Sequence, residues 1–365
     1  MKLEATHFTL PGLEEDGGLV NTLVRYRPTA ESGAGNATAA VRLSLVLLHA
    51  VAAHKEVWLP TLEHLFELQR TVPTNAFTIV EAWAPDSPNH GAAAALNEER
   101  LLAFPNGLTG SQWARAIQVF LRSGLIAPGC AVVGVGHSAG ACILVQSTDG
   151  YAPDALPYAS LIMLEPPMAT PETLRRAEEN GELLPRAADI ARVRKDVWPG
   201  PGGREAARAW FAKRLPWSRW DGRVLGLFIE HGLRDLPTAL YPDKREGVTL
   251  AAARAQEAGG YSHHEDAFAA MERLREVCPA IPVHCVFGEV NDFASEELQA
   301  AIVDGRVGRR MRSVVRVKGA GHWVVQEDPR GCALAMWGIL HEDYARPVGA
   351  PTQGADPECT AKAKL

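Results

Sequence analysis

Residues 132–141 read VVGVGHSAGA, an apolar run that ends in a serine set between Gly136 and Gly140. The stretch AVVGV (131–135) predicts a short buried strand, and ACILVQS (141–147) behind it is compatible with a helix. A strand-to-helix turn this tight forces its central residue into strained dihedrals and lifts the side chain above the sheet edge. Flanking glycines let the two backbones approach without a Cβ clash. On that reading Ser138 is a nucleophile. The competing reading is a glycine-rich corner of some other α/β fold, and the rest of the chain must choose.

Outward from the serine, strand-like and helical runs alternate. LVNTLVRYRP (19–28), VRLSLVLLHA (41–50), FTIVEAW (77–83), AVVGVG (131–136) and ASLIMLE (159–165) read as strands. A helical pattern runs from Pro60 to Leu68, and SQWARAIQVFLRSG (111–124) is amphipathic up to Gly124. Such alternation implies a mostly parallel sheet of the α/β class. From Met168 to Pro279 the pattern becomes charged and helical, with Trp198, Trp210, Trp217 and Trp220; strands resume at IPVHCVF (281–287) and RSVVRVKG (312–319), then a helix at 329–344. The expected organisation is a core of residues 1–167 and 280–345, a helical lid over 168–279, and a flexible tail over 346–365.

The chain has 365 residues, of which 47% are hydrophobic and 22% charged, enough for a large buried core. A formal net charge of -6 gives no global basic field for nucleic acid or anionic membrane. Arg309, Arg310 and Arg312 read as solvated surface. With no apolar run of membrane length and no secretory leader pattern, a soluble protein is expected. Its six cysteines lack metal spacing and read as reduced core thiols. No cofactor or metal motif is found. The terminal Ala363-Lys364-Leu365 is a close variant of the Ser-Lys-Leu address, so a peroxisomal import receptor is an expected partner, with the cytoplasm as the alternative location.

A serine hydroxyl needs a base. His322, in VKGAGHWVVQEDP (317–329), lies on a glycine-rich loop after the last strand and is placed to reach back to Ser138. His263-His264 reads as surface and His284 as a satisfied core histidine. A carboxylate must orient the imidazole. Glu165, closing LIMLEPP (161–167), and Asp292, in VFGEVNDF (286–293), both qualify. Glu165 is favoured because it caps an apolar strand and is fixed by Pro166-Pro167. Donors for an oxyanion are expected from the amides of Ala139 and of Val51, the latter just past His49-Ala50.

With a serine turn, an oxyanion loop, an acid and a histidine in the order Ser…Glu/Asp…His, the chain resembles the α/β-hydrolase superfamily. HAVAAHKEVW (49–58), DSPNHGAAAALN (86–97), LEPP (164–167) and EHGLRDLPTALYPDKREGVTL (230–250) are similar to the fungal peroxisomal hydrolases of secondary metabolism. That group includes acyl-CoA hydrolases of the mycophenolic-acid pathway, the yeast peroxisomal lipase and hydrolases of host-selective toxin clusters. The resemblance implies a catalytic acid on the strand after the serine, at Glu165, where relatives commonly have Asp. It also implies a departure in the oxyanion loop, where Val51-Ala52-Ala53 replaces Asn-Gly-Phe.

The expected function is a serine hydrolase of acyl thioesters or esters acting through an acyl-enzyme. Two other readings stay open. One is lactone or epoxide hydrolysis, or cyclisation, on the same fold; epoxide hydrolases normally place a carboxylate where Ser138 stands. The other is a non-catalytic binding protein on a hydrolase scaffold.

Overall fold

In the computed structural model, which describes residues 1–29 and 39–345, eight runs of sequence become one sheet. They are β1 (Leu3–Leu10), β2 (Asn21–Pro28), β3 (Val41–Leu48), β4 (Phe77–Pro85), β5 (Ala131–His137) and β6 (Ser160–Leu164), followed after a long insert by β10 (Val283–Gly288) and β11 (Ser313–Val317). Their order is β1-β2-β4-β3-β5-β6-β10-β11. Pairings from β4 to β11 are parallel, while β1 with β2 and β2 with β4 run antiparallel. Central strands such as β3 and β6 are apolar on both faces because helices cover both. β1 was not anticipated: its half-exposed burial pattern gives LEATHFTL no continuous apolar run.

Two buried clusters sandwich the sheet. On one face Leu62, Leu65 and Phe66 of the helix Leu59–Thr71 pack with Met336, Ile339 and Leu340 of the helix Pro329–Tyr344. On the other, Ile117 and Phe120 of Gly110–Arg122 meet Ile143 and Leu144 of Ala139–Gln146. Met271, Leu274 and Val277 of the helix His264–Ala280 belong to this second cluster too. That helix packs against the helix Ala139–Gln146 within this cluster, and we propose that the insert ends near residue 263, where the sequence reading places its end at 279. Its charged outer face had disguised a core helix.

The insert is also not wholly helical. Between its helices run three short strands, β7 (Val197–Pro199), β8 (Leu233–Asp235) and β9 (Gly247–Leu250), paired antiparallel in the order β7-β9-β8. Three or four residues are too few to show a period of two. Trp198, Trp210, Trp217 and Trp220 interlock with Phe211 and Phe228 at centroid distances of 4.8 to 6.3 Å. They continue the buried cluster that holds Leu62 and Met336, so the insert and this face of the sheet share one core. Arg309, expected on the surface, is 5% exposed, and its guanidinium donates to the Ala301 carbonyl. His284 is a satisfied core histidine, as expected, between Ser313 and Asp343. Five cysteines are free thiols; Cys359 and residues 363–365 lie outside the described residues.

The loops after β3, β5, β6, β10 and β11 all leave the same, carboxyl end of the parallel sheet. That edge is where open α/β sheets place their ligands.

Candidate active site

The turn after β5 is as sharp as its glycines suggested. Ser138 sits at φ 53°, ψ -125°, a conformation that side chains larger than glycine rarely adopt. A Cβ on Gly136 would fall 2.5 Å from the Gly140 carbonyl oxygen, and one on Gly140 would fall 2.4 Å from that of Leu48. Both positions therefore need glycine for close approach. The Ser138 amide donates to the Leu164 carbonyl at 2.9 Å, tying the turn to β6 and overriding its strain.

Opposite the hydroxyl lies His322, whose Nε2 is 2.9 Å from Ser138 Oγ. Its Nδ1 is 3.1 Å from Glu165 Oε2, and Glu165 Oε1 accepts the Gly288 amide at 2.6 Å. With Nδ1–H donating to the carboxylate, the Nε2 lone pair is left for the serine proton. Ser138, His322 and Glu165 are 3%, 2% and 4% exposed, so little water competes for these bonds. Glu165 is itself strained, at φ 49°. Asp292 is brought to the same histidine but to its backbone: Oδ1 accepts the His322 amide at 2.8 Å and Oδ2 pairs with Arg219 at 3.1 Å. The imidazole stacks on Phe293 with centroids 4.0 Å apart, and the His322 carbonyl accepts from His137 Nε2 at 2.9 Å. His137 lies inside the serine motif, yet nothing in the spelling of G-x-S-x-G assigns it that task.

Two cavities open at this pair. One is lined by Val51, Trp113, Ser138, Ala139, Cys142 and Ile143. His263 and His264, expected on the surface, stand half-buried in its wall. The other is lined by His322, Trp323, Trp217, Ala187, Ile190 and Arg194. Among the described residues no cluster of three or more His, Cys, Asp or Glu side chains is arranged to hold a metal, and no helix is long and apolar enough to cross a membrane.

The family model described as "Alpha/beta hydrolase family" matches residues 45–335, which include the whole of this constellation. The chain belongs to the alpha/beta hydrolase family. Within it, the sequence is 27% identical over 202 residues to the type I acyl-CoA thioesterase mpaH of Penicillium brevicompactum, and 28% identical to that of Penicillium roqueforti. The match covers 55% of this chain and 42% of those proteins, so the chain meets less than half the length of these relatives. The fold is similar to that of the peroxisomal alpha-beta-hydrolase Lpx1 of Saccharomyces cerevisiae, with TM-score 0.72 and 17% identity, covering 96% of this chain and 93% of that one. It is also similar to an E-2-(acetamidomethylene)succinate hydrolase, with TM-score 0.62 and 18% identity over 92% and 99% of the two chains.

In this hydrolase the loop after β3 is held by a network that sequence reasoning left without a role. Ala52 adopts φ 62°, and its amide donates to His90 Nε2 at 3.2 Å. His90 Nδ1 donates in turn to Asn89 Oδ1 at 2.7 Å. His49 Nδ1 donates to the Ala50 carbonyl at 2.7 Å, and its Nε2 accepts the Ser87 amide at 2.9 Å. Beneath them the buried Lys55 ammonium contacts Asp86 at 2.7 Å and Glu56 at 2.9 Å. Val51 thus lines the wall around Ser138 on a loop whose shape depends on neutral imidazoles, facing Ala139 at the start of the helix after β5. The sequence signal for this network is DSPNHG (86–91).

Burial holds those imidazoles neutral. Desolvation lowers His49 from 6.5 to about 4 and His137 to about 3, and takes His90 well below its ordinary value. Protonation then favours the unfolded chain, so their contribution is complete above pH 6.5 and declines as pH falls toward 4. For His49 this amounts to on the order of 3 kcal/mol of stability lost across that window. The urea midpoint is expected to fall steeply from pH 7 to 4.5, before most carboxylates titrate. A flat midpoint would show that these rings protonate in the folded protein.

Proposed function

We propose that this protein hydrolyses carboxylic thioesters or esters, with Ser138 as nucleophile, His322 as general base and then acid, and Glu165 as the group that orients His322. The observation that carries the reading is the unbroken hydrogen-bonded series from Ser138 Oγ through the imidazole to a carboxylate that is itself anchored by the Gly288 amide. Ser138 Oγ attacks the carbonyl carbon while its proton passes to His322 Nε2. The amides of Val51 and Ala139 are assigned to the developing oxyanion. His322 then protonates the departing sulfur or oxygen, and water, activated by the same ring, releases the acid and restores Ser138.

Thioesters are placed first because the curated relatives are named acyl-CoA thioesterases. The test is hydrolysis of a panel of acyl-CoA thioesters and matched oxygen esters, with Ser138→Ala as the blank. Turnover of neither class by the wild-type protein contradicts the reading. We also propose a peroxisomal location, after the peroxisomal hydrolase Lpx1 whose fold this chain resembles. A fluorescent protein bearing residues 346–365 at its C-terminus is expected in peroxisomes, and deletion of the last three residues should return it to the cytosol. A diffuse signal from the intact fusion contradicts the assignment.

A further inference from the structure

The two cavities at the serine–histidine pair divide its chemistry between them. The first contains Ser138, Ala139 and Val51 but not His322; the second contains His322 but not Ser138. Phe293 and Tyr261 line both and form the partition. In acyl transfer the carbonyl carbon bonds to the serine oxygen and its oxygen turns toward the amides, so the acyl chain extends on that side. The bond to the leaving sulfur or oxygen then breaks, and that atom takes its proton from His322 Nε2. The leaving group must therefore lie over the imidazole.

The cavities also differ in size and character. The serine side encloses about 80 Å³ and is walled by Trp113, Cys142, Ile143 and Leu174, whereas the histidine side holds about 380 Å³. At the mouth of the larger one, Leu183, Ile190 and Leu215 are 41%, 47% and 70% exposed. Its charged lining comprises Arg219, which pairs with Asp292 and Glu327, and Arg194, whose side chain is 8% exposed and pairs with Glu257. Arg194 Nε and Nη1 have no partner among the described residues, and the guanidinium lies 5.5 Å from the Trp217 ring centre. Unpaired buried donors are costly and are relieved by an acceptor oxygen. Because Glu257 already balances the charge, a neutral acceptor such as an amide carbonyl suits the site better than a phosphate.

From this division, and resting on the proposed hydrolase activity, we infer that the groove over His322 binds the leaving group. That group is a bulky, mainly apolar thiol or alcohol bearing an acceptor oxygen for Arg194, and the acyl group on the Ser138 side is compact.

Three series of thioesters test this, read by release of free thiol. At constant acetyl, kcat/KM of the wild-type protein should rise from ethanethiol to hexanethiol. It should rise again, by about tenfold, to an N-acylcysteamine of equal length, since a site built to pair an oxygen discriminates against its absence. At constant leaving group, kcat/KM should fall as acetyl is lengthened to decanoyl. Ala187→Trp should impose a penalty that grows with the leaving group, and Cys142→Phe one that grows with the acyl chain. Replacing the ion pair as Arg194→Met with Glu257→Gln should erase the preference for the amide.

An exchanged dependence, with Ala187→Trp sensing acyl length, overturns the orientation, and the wild-type series decides it even if a variant fails to fold. Equal rates for hexanethiol and the N-acylcysteamine overturn the Arg194 contact. A wild-type protein that forms no acyl-enzyme sinks the hydrolase reading itself, a result distinct from an acyl-enzyme with the wrong size preference.

Discussion

Replacing Ser138 with alanine is expected to lower kcat by between about 10⁴- and 10⁶-fold and to leave the fold intact. The hydroxyl is the only part of the side chain that the mechanism uses, and the Ser138 amide bond to Leu164 that holds the turn is kept. Alanine also fits the 3% exposed position with no added volume. Substrate binding should survive, because the cavity walls on either side are unchanged. The expected signature is an unaltered Tm, a near-normal Kd for a non-hydrolysable analogue and no initial burst of leaving group. If the variant still turns over within about tenfold of the wild type, Ser138 is not the nucleophile.

The second large effect separates the two carboxylates. Glu165→Gln keeps the shape of the side chain but removes the charge that stabilises the imidazolium, and its amide permits the wrong His322 tautomer. A loss of about 10³- to 10⁴-fold in kcat is expected, as for the matching change in other triads. Asp292→Asn should cost no more than about tenfold, because an amide oxygen still accepts the His322 backbone N–H, 2.8 Å away, and no proton crosses that bond. The ion pair with Arg219 is lost, but it is partly exposed and contributes little. Equal losses in kcat, or a larger loss at Asp292, would reverse the roles assigned to the two acids.

Legibility in the sequence followed the physics of each signal. The parallel core announced itself because strands buried on both faces are continuous apolar runs, and the G-x-S-x-G spelling follows from close approaches that only glycine allows at 136 and 140. The pairing of His322 with Ser138, 184 positions earlier, was inferable from topology alone, since loops after parallel strands share one edge. Other features left weaker traces. The helix His264–Ala280 carries its buried residues among charges, so it reads as lid although it packs against the helix Ala139–Gln146 in a core cluster. Strands β7 to β9 are shorter than any period they might display. The His49–His90 network depends on hydrogen bonds to backbone amides, which residue type does not encode. His263 and His264 turn inward because neighbouring Tyr261 and Phe268 line the same cavity, a tertiary circumstance with no local signature.

The most direct measurement is the intact mass of the protein quenched within milliseconds of mixing with an acetyl thioester, followed by peptide mapping. The serine reading predicts a gain of one acetyl group, located on the peptide containing Ser138, that decays at the rate of steady-state turnover. Thiol release with no covalent adduct, or an adduct confined to another residue, would contradict it.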